Sequence, residues 1–146
     1  MVSEIFKNKG YTLEVKFVPW KRALEYTKKG NYDGLLGAFY TKDRLEFFEY
    51  SNTIDTIEMV FFTKKNRNIS YTKLSDLSKY NIGIVRAYHY SDEFNTIKKN
   101  LRLFESVHTK DNIKLLIHNR IDLLLASKKV TQELINKHYH KYINEI

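Results

Sequence analysis

The sequence predicts an α/β fold in two lobes, with parallel-dominated sheets flanked by helices. Strand and helix patterns alternate along nearly the whole chain, and this alternation joins parallel strands through right-handed crossovers. The polar segment 64–68, which contains two Lys, two Asn and one Arg, interrupts the alternation near the middle. We therefore expect a first lobe at 1–63, a hinge or linker at 64–70 and a second lobe at 71–146.

The first lobe is expected to read helix, strand, helix, strand. Apolar residues at helical spacing, followed by a glycine, predict helices at 2–10 and 19–30. Residues 13–17 alternate between apolar and charged side chains, as in a half-buried strand, and the short apolar segment 34–38 fits an interior strand. A β-branched and aromatic run predicts a further strand at 57–63.

The second lobe is expected to alternate strands and helices to the end of the chain. Short apolar runs predict strands at 82–85, 102–107 and 121–125. Ser91 and Thr109 precede helical patterns and are predicted to cap two helices. A final helix should bury the apolar side chains of one face, namely Val130, Leu134 and Tyr142.

The composition is that of a globular domain. Of the 146 residues, 42% are hydrophobic, and the formal net charge is +8. Lys and Arg are spread through every segment, so we interpret the charge as a solvated surface and expect no nucleic-acid partner. No apolar run approaches the roughly 18 residues that span a bilayer, and residues 1–10 hold no signal-peptide core, so we expect no membrane insertion.

Residue types and spacing argue against catalytic and metal sites. The sequence has no Cys, which removes disulfides, thiolate nucleophiles and zinc–cysteine sites. It also lacks the nucleophile-elbow, P-loop and zincin motifs. His138 and His140 are two residues apart and fall on different helix faces, so they do not make a metal pair. We therefore expect no enzyme activity, no cofactor and no metal.

Loops at the carboxyl ends of the predicted strands are the expected ligand site, because helix N-termini meet them there and favour anions. These loops are 18–20, 38–44, 86–91 and 126–128. Arg44 ends the second loop, and its planar guanidinium can hold a carboxylate through two parallel hydrogen bonds. The third loop adds Arg86, Tyr88 and Tyr90 just before a Ser-capped helix. Two such loops on either side of the polar linker predict a cleft between the lobes.

Each of these residues also has a purely structural interpretation. Arg44 could be a surface arginine paired with Asp43 or Glu46. Trp20, in the first loop, could pack in the core. Tyr88 could be an exposed aromatic of the lobe surface. The residue types alone leave these alternatives open.

Several short motifs occur in a fixed order along the chain. They are Val18-Pro19-Trp20-Lys21-Arg22-Ala23-Leu24, Gly30-Asn31-Tyr32-Asp33-Gly34, Thr41-Lys42-Asp43-Arg44, Phe48-Glu49-Tyr50-Ser51, Ile82-Gly83-Ile84-Val85-Arg86 and Asn119-Arg120-Ile121-Asp122. In these motifs the chain resembles family 3 of the bacterial extracellular solute-binding proteins, over essentially its whole length. The resemblance implies a type II periplasmic-binding fold whose first lobe is truncated.

The resemblance also implies a site built from both lobes. Arg44 would clamp the ligand carboxylate, the backbone at Gly37 and Phe39 would line the pocket, and Arg86 would contact the ligand on closure. Ser127 stands where amino-acid receptors of the family usually carry an Asp that binds the ligand ammonium group, and a Ser supplies no counter-charge. The full expected ligand-binding set is Trp20, Gly37, Phe39, Arg44, Arg86, Tyr88 and Ser127.

The implied function is non-catalytic binding of a small polar solute, an amino acid or other carboxylate, between two lobes. Its setting would be a periplasmic ABC transporter, with the permease as partner; the alternative is a ligand-sensing domain of a regulatory or signalling protein. Family members begin with a strand before the helix at Val2 and end with a segment that returns to the first lobe. Because both are missing from this sequence, we expect the chain to form a homo-oligomer through its incomplete first lobe or to be marginally stable.

Overall fold

The computed structural model describes residues 2–146. Its α-helices are α1 (Val2–Asn8), α2 (Trp20–Lys28), α3 (Asp92–Ile97), α4 (Thr109–Ile117) and α5 (Lys128–His138). Its strands are β1 (Met59–Phe62), β2 (Asn81–Val85), β3 (Arg102–Ser106) and β4 (Leu123–Ser127). Short 3-10 helices occupy Lys42–Glu46, Leu74–Lys79, Lys98–Asn100 and His140–Tyr142.

The strands form one mixed sheet in the order β1-β4-β2-β3. Strand β2 is parallel to both β3 and β4, whereas β1 is antiparallel to β4. This confirms an α/β fold with a parallel-dominated sheet flanked by helices. Strand β1 comes from the segment assigned to the first lobe, yet it pairs with β4 of the second. The division at 1–63, 64–70 and 71–146 stays a prediction.

The two central strands, β2 and β4, are buried on both faces, as parallel strands covered by helices are. Leu123 and Leu125 belong to a cluster with Tyr90 and Phe94 on one side. Leu124 and Ala126, which point to the opposite face, belong to a second cluster with residues of α4 and α5. Residues Leu123 to Ala126 of β4 are all buried, which explains why the sequence of this strand is an unbroken apolar run.

The helices of the second half follow the predicted pattern with two corrections. Ser91 caps α3 as expected, because its hydroxyl accepts a hydrogen bond from the Phe94 backbone N–H at 3.1 Å. Thr109 is the first residue of α4 and not its cap, which is His108. Helix α5 begins directly after β4, and this register buries Thr131 and Ile135 and leaves Val130 half exposed.

The first part of the chain departs most from the prediction. Neither 13–17 nor 34–38 forms a strand, and none of the residues 2–58 is buried. Val15 and Phe17 are 44% and 94% exposed, so the alternating pattern has no sheet to face. A strand requires a neighbour that pairs with its backbone, and these segments have no ladder partner among the described residues. The strand at 57–63 does form, shortened to Met59–Phe62, and the one at 121–125 is shifted to Leu123–Ser127.

Across residues 2–146, no helix has both the length and the apolar character needed to cross a membrane.

Gly83 in β2 gives a direct test of the packing between the sheet and α4. A methyl group at Gly83 would lie 2.5 Å from Ile121 Cδ1 and 3.0 Å from Asn112 Oδ1. We expect Gly83→Ala to lower the free energy of unfolding by about 1–3 kcal/mol because both neighbours are fully buried. Urea unfolding followed by circular dichroism measures the change.

Two further variants separate this clash from a general glycine effect. Gly34→Ala meets no atom within 4 Å, so it should leave stability nearly unchanged. Ile121→Val removes the Cδ1 atom, so the double variant Gly83→Ala/Ile121→Val should be more stable than the sum of the two single losses predicts. If the losses in the free energy of unfolding of the two single variants add up to that of the double variant, the clash is contradicted.

Tyr90 supports a second prediction, on pH. Its hydroxyl oxygen accepts a hydrogen bond from the Val85 backbone N–H at 2.7 Å, and burial raises the pKa of Tyr90 above its ordinary value of 10.0. Tyr90→Phe leaves this buried N–H unpaired, so we expect a loss of about 1–3 kcal/mol at neutral pH. Tyr71→Phe, which removes an exposed hydroxyl without a hydrogen bond among the described residues, is the matched control.

The sign of the pH effect follows from linkage. Below about pH 10 both states of the wild type keep Tyr90 protonated. Above it the unfolded chain ionises this group while the folded chain does not, so the free energy of unfolding falls as pH rises. Denaturant unfolding between neutral and strongly alkaline pH should therefore show a shallower alkaline decline for Tyr90→Phe; identical declines would show that Tyr90 does not contribute.

Candidate ligand-binding site

A cavity of about 240 Å³ lies at the carboxyl ends of the two central strands. The last residue of β2, Val85, and residues 125–127 of β4 line one wall. Trp20 and residues of the segment 36–44 line the other. The cavity therefore lies between the irregular first part of the chain and the sheet, at the edge where open α/β sheets bind their ligands.

The first turns of three helices border this cavity. Trp20 is the first residue of α2, Thr109 is the first residue of α4, and Ser127 is the N-cap of α5, and all three line it. N–H groups without an intrahelical partner and the helix dipole make such ends electropositive. In α5 the first of these N–H groups, that of Lys128, donates to the Glu58 carbonyl at 3.0 Å. Ser127 makes no capping hydrogen bond, so its hydroxyl stays available to a bound molecule. The three helix ends together favour an anionic group in the cavity.

Arg44 adds a full positive charge to the same wall. Its Nη1 donates a hydrogen bond to the Phe39 carbonyl at 2.8 Å, and Tyr50 donates to that carbonyl at 2.9 Å. The guanidinium carbon lies 5.6 Å from the centre of the Trp20 ring. Within the described residues Arg44 forms no ion pair with Asp43 or Glu46. One nitrogen thus fixes the guanidinium, and its other donors are free for a carboxylate.

Aromatic side chains connect the two walls. The rings of Trp20 and Tyr88 meet edge to face with centroids 5.9 Å apart, and Tyr88 lies 6.2 Å from Tyr90. Desolvation by burial raises the pKa of Tyr88, so its hydroxyl stays neutral at physiological pH. The indole N–H of Trp20 is buried without a partner in the described part of the chain. Trp20 is therefore both a packing residue and a potential donor, and its two sequence interpretations are compatible.

The expected site residues are brought together with one exception. Trp20, Gly37, Phe39, Arg44, Tyr88 and Ser127 line the cavity. Arg86 does not: its side chain is 52% exposed, and its Nε lies 3.6 Å from Glu105 Oε2. The Arg86 backbone N–H still bonds to the Ser106 carbonyl, so this residue continues the ladder with β3 and turns away from the cavity. It lines a separate cavity of about 450 Å³ beside the start of α2.

Sequence reasoning missed several lining residues. Met59 and Ile57 reach the cavity because β1 runs antiparallel beside β4, a pairing that no local pattern shows. Val130 was assigned to the core and instead lines the cavity half exposed. Thr109 could have been found, since it opens a predicted helix after a strand.

The one permanently charged side chain of the described lining is basic. Arg44 is permanently charged, and His89 has Nδ1 2.9 Å from the Asn95 amide and Nε2 3.4 Å from Asp92. The described residues contain no cluster of three or more His, Asp or Glu side chains that could hold a metal. The arrangement can bind an anion and position an apolar or aromatic group.

Comparisons with solved structures find the same fold. An ancestral arginine-binding protein bound to arginine aligns with a TM-score of 0.82 at 17% identity, over 94% of this chain and 62% of that one. An arginine transport-system periplasmic binding protein from Legionella pneumophila aligns with a TM-score of 0.78 at 17% identity, over 99% and 64%. The substrate-binding protein of an amino acid ABC transporter aligns with a TM-score of 0.78 at 21% identity, over 94% and 61%.

The chain thus spans less than two thirds of the length of these structures. A search of curated proteins finds no match. The family model of the bacterial extracellular solute-binding proteins, family 3, matches residues 1–143. With that match over nearly every residue and the same fold in the solved structures, this chain belongs to family 3 of the bacterial extracellular solute-binding proteins.

Proposed function

We propose that the chain binds a small solute through a carboxylate in the cavity between Arg44 and the ends of β2 and β4. The observation that carries the proposal is the meeting of Arg44 with the starts of α2, α4 and α5 at one cavity. An arginine and several helix ends together supply charge and directed N–H donors, which is how proteins hold carboxylates without a metal. The role is binding and not catalysis, in keeping with a solute-binding family.

Ligand binding would draw the two walls of the cavity together. A molecule that contacts both walls binds the closed form better than the open form and shifts the population toward it. The predicted hinge at 64–70 is tied to the second half, since Arg67 pairs with Asp122 at 2.6 Å and Lys64 with Glu145 at 3.1 Å. Among the described residues, the exposed and irregular segment 51–57 forms only local side-chain hydrogen bonds, and we propose that the bending occurs there.

The transport role is a proposal of the same kind. Among proteins of this fold is the substrate-binding protein of an amino acid ABC transporter. We propose that this chain delivers its solute to the permease of such a transporter, outside the cytoplasm, where extracellular solute-binding proteins work.

Residues 2–58 carry exposed apolar side chains that need a partner, and we propose a second copy of the chain. The segment 11–19 is irregular and has no ladder partner among the described residues. Antiparallel pairing of this segment with itself about Val15 places Glu14 of one copy opposite Lys16 of the other. It also covers Phe17, which is 94% exposed.

The carboxylate clamp is tested by Arg44→Ala. Thermal shift and titration calorimetry against amino acids, other carboxylates and sugars should identify a binder for the wild type. Loss of charge-assisted hydrogen bonds worth about 1.5–3 kcal/mol predicts affinity roughly 10- to 100-fold weaker in Arg44→Ala. Arg86→Ala is the matched arginine control and should bind nearly as the wild type does, since Arg86 lies outside the cavity. Equal stabilisation of the wild type and Arg44→Ala by the same compound would refute the clamp.

The second-copy interface is tested by Phe17→Glu and Val15→Glu. Light scattering coupled to gel filtration should give about twice the 17.5 kDa chain mass for the wild type, and melting temperature should rise with protein concentration. Val15→Glu brings two like charges together at the two-fold axis, whereas Phe17→Glu places a charge opposite Leu13 of the other copy, so either variant should return to a monomer. Ile143→Glu, at a similarly exposed apolar residue of the C-terminal end, is the control and should stay dimeric. A wild type that is a monodisperse, cooperatively melting monomer at every concentration contradicts the interface.

A further inference from the structure

We infer that the cavity selects carboxylates that carry no ammonium group and that have an apolar or aromatic remainder. The inference rests on the proposed function and narrows it, because it concerns the part of the ligand that Arg44 does not hold. It follows from the charges and side chains of the cavity walls.

The charge of the walls has one sign. Arg44 is the permanently charged side chain of the described lining, His89, Tyr88 and Tyr90 are its other titratable side chains, and no Asp or Glu is among the described lining residues. The acidic residue that adjoins the lining at Met59, Glu58, pairs with Lys128 at 3.1 Å. Asp92 lies 3.4 Å from the His89 ring nitrogen and is fully exposed. The nearby carboxylates therefore already face cations or solvent.

A ligand ammonium group would meet an unfavourable field in this cavity. The starts of α2, α4 and α5 favour anions and oppose cations to the same extent. The lining hydroxyls of Ser127 and Thr109 can accept hydrogen bonds, but they are neutral. Removing an ammonium from water without a counter-charge costs more than a neutral hydrogen bond returns. The carboxylate of a zwitterion therefore contributes favourably to the binding free energy, and its ammonium group contributes unfavourably.

The remaining surface of the cavity suits an apolar group. Apolar side chains cover most of it, namely Leu36, Phe39, Ile57, Met59, Val85, Leu125 and Val130. Trp20 and Tyr88 add ring faces and edges next to Arg44. The volume of about 240 Å³ is smaller than a typical drug-sized pocket, so the ligand is small.

Matched pairs of probes test the selectivity. Titration calorimetry at neutral pH compares 3-phenylpropionate with L-phenylalanine, and 4-methylpentanoate with L-leucine. The members of each pair differ only in the α-ammonium group. We expect the carboxylate without the ammonium to bind at least about tenfold more tightly in each pair, and both members to lose affinity in Arg44→Ala.

A gain-of-function variant tests the cause. Ser127→Asp places a carboxylate at the cavity wall, and Ser127→Asn has nearly the same shape without the charge. Asp and Asn are both good N-caps, so α5 keeps its start in either variant. We expect Ser127→Asp to reduce the preference for the carboxylates without an ammonium group, or to reverse it so that the amino acids bind more tightly. Ser127→Asn should keep the wild-type preference. Should Ser127→Asp fail to fold, Thr109→Asp with Thr109→Asn applies the same test at the first turn of α4.

The outcomes separate the inference from the proposed function. If an amino acid binds more tightly than its partner and this binding depends on Arg44, the selectivity is wrong while the carboxylate site stands. If neither Asp variant changes the preference, the charge argument is wrong. If no probe of either pair binds in an Arg44-dependent manner, the proposed function fails and the inference fails with it.

Discussion

The fold and the site both depend on strand β4, which is paired along both edges and covered on both faces. It lies between β1 and β2 in the sheet, and its side chains alternate between the two core clusters. A strand in this position is held by ladder hydrogen bonds and by apolar burial at once. Its end is therefore fixed, and that end carries Ala126 and Ser127 into the cavity wall. The start of α5 follows without a loop, so the helix end is fixed as well.

Local patterns predicted the second half well because each element there has the partner that its pattern requires. The apolar runs of β2 and β4 are buried on both faces, and Ser91 caps α3 in the expected way. The pattern at 13–17 is equally clear in the sequence, yet no strand forms. Strand formation depends on a neighbouring backbone, often one distant in sequence, so alternation alone does not decide it. The sequence predicted Val130 as a buried residue of α5, whereas the structure buries Thr131. This error of one position arises because the residue at which a helix begins decides which of its side chains face the core.

The site was partly predictable for a related reason. Arg44, Trp20, Tyr88 and Ser127 lie in loops at strand ends, where topology alone brings groups together. Met59 and Ile57 could not be found, since the antiparallel β1–β4 pairing is set by contacts across the whole sheet. Arg86 was expected in the cavity because it follows β2 directly. Its backbone extends the ladder with β3 by one residue, and this directs its side chain to Glu105.

The two walls of the cavity differ in how firmly they are held. The sheet wall rests on fully buried residues, whereas the wall formed by Trp20 and Arg44 belongs to the segment 2–58, in which no residue is buried. That wall is held by few contacts, among them the Arg44 hydrogen bond to Phe39 and the Trp20 ring against Tyr88. A ligand that contacts both walls must therefore also stabilise the weaker wall. Part of its binding free energy offsets the conformational entropy that the segment 2–58 loses when it becomes fixed. Anything else that stabilises the segment 2–58, such as a second polypeptide along residues 11–19, removes that cost and raises the apparent affinity.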